Sequence, residues 1–121
     1  MTPHEYRQRA SEFASYGDNP MYPAFGLAEE AGEVCGKVAK FIRKNDGINP
    51  FQSINQFEYS KRDANTEFIS AIEKELGDVC WMVAALATEL GLSLDQIMEK
   101  NIEKLADRKA RGVIVGEGDN R

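Results

Sequence analysis

The sequence predicts an all-α protein, an antiparallel bundle of four helices. Three observations carry this prediction. Apolar residues recur at helical spacing in four stretches, start and stop signals bracket most of them, and no run shows the clean alternation of a paired strand. The 121 residues suit one domain over 1–121 and leave no room for two. Hydrophobic residues are 42% and charged residues 29%, too apolar for a disordered chain and ordinary for a globule.

The run TPHE at 2–5 opens the first helix, with Thr2 as N-cap, Pro3 at the first helical position and Glu5 completing a capping box. This helix is expected to reach about Tyr16 and stop before GDNP at 17–20. Pro23 opens a second helix that runs to about Asn45 and stops at Asp46 and Gly47. The stretch 46–65 is rich in Asn, Gln and Ser, with scattered Phe51, Phe57 and Tyr59, and reads as a long connection. A third helix is expected from about Thr66 to Leu90, ending at Gly91. SLDQ at 93–96 forms a second capping box and opens a fourth helix that ends near Ala110. The tail 112–121 is glycine-rich and non-helical, with Val113, Ile114 and Val115 as its one candidate extended piece.

On the third helix Phe68, Ile72, Leu76, Val79, Val83, Leu86 and Leu90 form one apolar stripe, and Cys80, Trp81, Ala84 and Ala85 lie outside it. A helix apolar over so much of its girth is expected to be buried on several faces, which implies a homodimer or homotetramer. Leu94, Ile97, Met98, Ile102 and Leu105 are the expected buried stripe of the fourth helix.

With 15 basic and 20 acidic residues the net charge is −5, which argues against a nucleic-acid polymer as partner. No apolar run approaches about 18 residues, so no membrane span is expected, and the N-terminus lacks the pattern of a secretory signal. Cys35 and Cys80 show no metal-type spacing and are expected to be buried, reduced thiols of a cytoplasmic protein. The lone His4 supports neither a histidine metal site nor a nucleophile triad.

Acidic residues concentrate at Glu29, Glu30 and Glu33 and at Glu75 and Asp78. Each helical residue advances by about 100°. Leu27, Val34, Val38 and Phe41 form the stripe of the second helix, with Glu30 at its edge and Glu33 about 60° further round. On the third helix Glu75 borders the stripe and Asp78 lies about 60° away. A single pair of acids at i, i+3 is commonplace on a solvated face. Two such pairs, both beside core faces and separated by small Ala31, Gly32 and Gly77, converge if their helices pack. Converging carboxylates must protonate or hold cations, and all-oxygen ligands favour Mg²⁺ or Mn²⁺. Gly32 and Gly36 each cost about 1 kcal/mol of helix propensity, which a close helix or substrate approach would explain. On the fourth helix Asn101, Lys104 and Arg108 align at i, i+3, i+7, either as a solvated face or as a clamp for phosphate oxygens.

These residues resemble a known family. Residues 26–34 (GLAEEAGEV) and 74–79 (KELGDV) look like the EExxE and ExxD signature of the MazG-type all-α nucleoside triphosphate pyrophosphohydrolases. Residues 101–112 (NIEKLADRKARG) resemble the final helix of that family, and the ending GDNR at 118–121 is similar to many small members. The resemblance implies that Glu30, Glu33, Glu75 and Asp78 ligate Mg²⁺ and that Glu29 is the water-activating base or a ligand of a further metal. It implies phosphate contacts from Lys104 and Arg108, with Asn101 as a nearby polar contact. The implied reaction is attack of a metal-activated water between the α- and β-phosphates, releasing a monophosphate and pyrophosphate. Phe13, Tyr16, Tyr22, Phe25 and Trp81 are the candidates for stacking on the base, although core packing is the commoner role of such residues. The 41 residues between Glu33 and Glu75 exceed the usual spacing of the family, and Lys61 and Arg62 lie in that surplus. A dUTPase- or dCTPase-type member of the fold, a non-catalytic nucleotide- or alarmone-binding regulator and a helical interaction module remain the alternatives.

Overall fold

The computed structural model describes residues 1–47 and 62–118. The described residues are all-helical, with four helices and no strand: α1 (Pro3–Ser11), α2 (Met21–Lys44), α3 (Arg62–Glu89) and α4 (Leu94–Ala110).

The capping box at α1 forms as expected. Thr2 Oγ1 accepts the Glu5 N–H at 3.1 Å, and Thr2 N–H donates to Glu5 Oε2 at 2.6 Å. The helix ends at Ser11, well short of Tyr16. The Ala10 carbonyl, which Ala14 would address in a continuing helix, instead accepts the Trp81 indole N–H at 3.1 Å and the Phe13 N–H at 3.2 Å. A tertiary bond therefore ends α1.

Helix α2 begins at Met21, before Pro23, because Asn19 Oδ1 accepts the Met21 N–H at 3.1 Å. Pro23 then sits in the first turn, where a missing N–H leaves no helical bond unmade. Residues 62–65 of the expected connection are helical. Residues 48–61, including Phe51, Phe57, Tyr59 and Lys61, lie outside the described residues. Ser93 caps α4, with Oγ accepting the Gln96 N–H at 3.4 Å, which is one half of the expected capping box. Val113, Ile114 and Val115 form no strand and instead enter a turn closed by Gly116 N–H on the Val113 carbonyl at 3.0 Å.

Helices α2 and α3 make the principal packing and run antiparallel. Gly26 lies against Met82 at one end of the pair, and the Phe41 and Phe68 rings meet at 4.6 Å near the other. Helix α1 packs on α3 and, less extensively, on α4. There Ala10, Ala84 and Leu94 form a small core, flanked by Tyr6, Trp81 and Val83. Helix α4 turns off the line of α3 by 107°. Three expectations about burial are overturned. Ile97, Met98, Ile102 and Leu105 are exposed, leaving Leu94 as the buried residue of the α4 stripe. Leu76 and Leu90 of the α3 stripe are also exposed, and Met82, Ala84, Ala85 and Ala87 are buried in their place. Cys35 and Cys80 are exposed.

The glycines sort in a way their spacing does not show. An added Cβ at Gly32, Gly36 or Gly77 would meet nothing within 4 Å, so no close approach among the described residues explains them. A Cβ at Gly26 would lie 2.5 Å from Met82 Sδ and Cε, and Met82 is itself buried. Gly26→Leu is therefore expected to lower stability by about 1–3 kcal/mol. Gly32→Ala is expected to raise it by up to about 1 kcal/mol through helix propensity. Urea denaturation of both variants checks the pair, and a destabilised Gly32→Ala would reveal a neighbour at that site.

Candidate functional site

The antiparallel α2–α3 register places Glu30 level with Glu75 and Asp78. One carboxylate oxygen from each of the three lies within 4.8 Å of the others. Glu30 and Glu75 are half-buried and Asp78 is exposed. Burial pushes the Glu30 carboxyl above its ordinary value, and the charges of Asp78, Glu29, Glu75 and Glu33 push it the same way. Three oxygens so placed hold a surplus of negative charge that a hard divalent cation would neutralise.

Of the five acids that the sequence singles out, the structure brings these three together. Glu33 and Glu29 are exposed beside the cluster, close enough for their charges to act on Glu30. Glu33 also faces Lys37, one turn further along α2. Lys37 Nζ stands 2.9 Å from Glu75 Oε1, and the hydrogen bond to Glu75 raises the Lys37 ammonium above its ordinary value. Sequence reasoning missed Lys37. The signal was available in its spacing, four residues beyond Glu33 on the same helix face.

The cationic row of α4 is split. Asn101 and Lys104 are exposed on a helix whose principal neighbour is α1. Arg108 is 5% exposed, and its Nη2 donates to the Gly118 carbonyl at 3.5 Å. The tail thus covers the guanidinium that the sequence assigns to phosphate. Asp107 pairs instead with Arg111, at 2.6 Å.

The aromatic candidates also divide. Tyr16 stacks on Tyr22 at 4.6 Å and meets the Trp81 edge at 6.1 Å, a ladder that ties the α1–α2 connection to α3. Phe13 and Phe25 are 74% and 70% exposed. An apolar cavity of about 480 Å³ lies elsewhere, between α1, α3 and α4. Tyr6, Val79, Cys80, Val83, Leu94 and Met98 line it. Burial, then the Cys80 and Asp78 charges, hold the Tyr6 phenol above its ordinary value, which marks how near this cavity lies to the acids. Tyr6 and Met98 sit on elements far apart in sequence, so no local pattern could assign them.

Comparison with known proteins adds a family. The family model described as the MazG nucleotide pyrophosphohydrolase domain matches residues 24–113, a span that contains all five acids. The chain is similar to "Gene 37 protein" of Mycobacterium phage L5, with 43% identity over 100 residues. That match covers 83% of this chain and 75% of the phage protein. No solved structure matches. No single helix among the described residues is long and apolar enough to cross a membrane.

The raised Glu30 carboxyl sets a pH dependence. A carboxyl whose folded value exceeds its unfolded value favours the fold while protonated. That contribution is complete below the ordinary value of 4.5 and is lost as pH rises through the raised folded value. Glu30→Gln, which stays neutral, is therefore expected to melt above the wild type at pH 7 in chelator. The difference should close below about pH 4, where both side chains are uncharged. Equal melting at pH 7 would show that the acids are not crowded.

Proposed function

We propose that this chain, which belongs to the MazG nucleotide pyrophosphohydrolase family, hydrolyses (deoxy)nucleoside triphosphates to the monophosphate and pyrophosphate with Mg²⁺. The observation that carries the reading is the meeting of Glu30, Glu75 and Asp78 from two helices. Their all-oxygen donor set fits Mg²⁺ and is also compatible with Mn²⁺. Glu33, one turn from Glu30, is the fourth proposed ligand. Bound there, the metal supplies Lewis acidity, water activation and charge neutralisation at the phosphates.

Glu29 is exposed beside the cluster and is the proposed base for the attacking water. Asn101 and Lys104 are proposed polar contacts to the nucleotide. They share α4 with Met98, which borders the cavity beside Asp78. Arg108 is a proposed phosphate contact that requires the tail to lift from it. The nucleobase is assigned to the apolar cavity, whose walls suit a flat ring. Trp81 and Phe13 border the adjoining cleft of about 310 Å³ with Tyr6 and Arg9. Tyr16 and Tyr22 would act there through Trp81, and Phe25 from the surface. Such an enzyme serves pool control or removal of aberrant nucleotides, consistent with a cytoplasmic setting.

A panel of NTPs and dNTPs with Mg²⁺, with products separated by chromatography, tests the reading. Monophosphate and pyrophosphate are the expected products, and orthophosphate in place of pyrophosphate would overturn the reaction. A preference for dUTP or dCTP would identify the narrower member. Glu75→Gln is expected to lose at least about a hundredfold in turnover, and equal turnover would remove the metal assignment.

A homo-oligomer is the second part of the proposal. Phe25, Leu76, Leu90, Ile97, Met98, Ile102 and Leu105 are large apolar side chains left exposed on α2, α3 and α4, which an association between copies would cover. Sedimentation at micromolar concentration is expected to show a dimer or tetramer, and a monomer there would overturn it.

A further inference from the structure

The acid cluster carries a cation of its own. Lys37 Nζ stands 2.9 Å from Glu75 Oε1, in a pair whose side chains are 36% and 15% exposed. Glu30, Glu33 and Lys37 fall within about 60° of rotation on α2, so the lysine shares the face of the acids. The register that sets Gly26 on Met82 and Phe41 on Phe68 puts Lys37 beside Ala71, one turn of α3 from Glu75. Helical side chains lean toward the N-terminus, and on α2 that lean carries the lysine from Ala71 back to Glu75. Among the described residues Glu30 and Asp78 form no ion pair, so Lys37 is the positive charge paired with the cluster. A carboxylate as enclosed as Glu75 needs such a counter-charge.

We infer that Lys37 is a tethered counter-ion, which holds the acid cluster together without metal and competes with the divalent cation for Glu75. The inference rests on the metal reading above and goes beyond it by making metal loading an exchange of one cation for another. It acts through Glu75, so Lys37 is a positioning residue.

Lysine suits this role. Its ammonium is a compact charge on a flexible stem and can leave Glu75 without moving either helix. It has open space to withdraw into, a cleft of about 390 Å³ that Lys37 and Ala71 both line. Lys40 and Lys44 share that cleft with one carboxylate, Glu67, so the withdrawn ammonium meets a net like charge. Loading the metal therefore carries a cost that the chain itself sets. A cluster of bare acids would bind a free cation more tightly and would be pushed apart in its absence.

Two measurements on the full chain test the inference: calorimetric titration with Mg²⁺ alone, and thermal melts in chelator at pH 7. Lys37→Met keeps the stem and removes the charge. It is expected to bind Mg²⁺ about tenfold more tightly than the wild type, the scale of a unit charge acting on a divalent ion about 5 Å away in water. In chelator it is expected to melt about 2 °C or more below the wild type. Lys37→Arg, which keeps the charge, is expected to stay within about threefold of the wild type in Mg²⁺ affinity. In a Glu75→Gln background the melting loss from Lys37→Met is expected to fall by at least about half, because the pair is already broken. Unchanged or weaker Mg²⁺ binding by Lys37→Met would overturn the competition, since a lysine that merely oriented Glu75 as a ligand would weaken binding when removed. An absent melting loss, or one that persists undiminished in Glu75→Gln, would overturn the counter-ion role. A wild type that takes up no Mg²⁺ would overturn the metal reading and the competition with it. The melts in chelator need no metal and judge the pairing separately, so the two failures are distinguishable.

Discussion

The close approach of α2 to α3 is the constraint on which the rest of the structure depends. Gly26 lets the buried Met82 side chain rest where a larger residue would stand, and the Phe41–Phe68 contact closes the opposite end of the pair. Two fixed ends leave one antiparallel register. That register alone sets Glu30 against Glu75 and Asp78. The convergence is electrostatically unfavourable without a cation, since the charges of Asp78, Glu29, Glu75 and Glu33 add to burial in raising the Glu30 carboxyl. Apolar packing at the ends thus holds together charges that would otherwise separate.

Charge along α2 is segregated rather than mixed. Its acids, Glu29, Glu30 and Glu33, precede its bases, Lys37, Lys40, Arg43 and Lys44. The basic residues fall toward the C-terminus, where the helix dipole favours cations. The same ordering places an acidic region and a basic region on one face, joined by the Lys37–Glu75 ion pair. The net charge of −5 therefore conceals a local separation of charge along this helix.

Much of the local structure was legible in the sequence. TPHE and SLDQ marked the starts of α1 and α4, and the EExxE and ExxD spacings marked the acids that meet. The failures share one cause. The end of α1 is decided by a Trp81 bond to Ala10, 71 residues away in sequence. The exposure of Ile102 accompanies the 107° turn between α3 and α4, which helical periodicity does not encode. Arg108 was legible as a cation, but its cover by the tail at Gly118 was not.

By itself, then, the sequence determined that there are four helices, the caps that open α1 and α4, the acids at i, i+3 and the family. These depend on residues within one or two turns of each other, where spacing dictates geometry. Only the tertiary structure decided which three carboxylates meet, that Gly26 rather than Gly32 is the point of close approach, and that Lys37 reaches Glu75. Each of those depends on the register between two helices. That register is set by side-chain volume at distant contacts, and no local pattern records it.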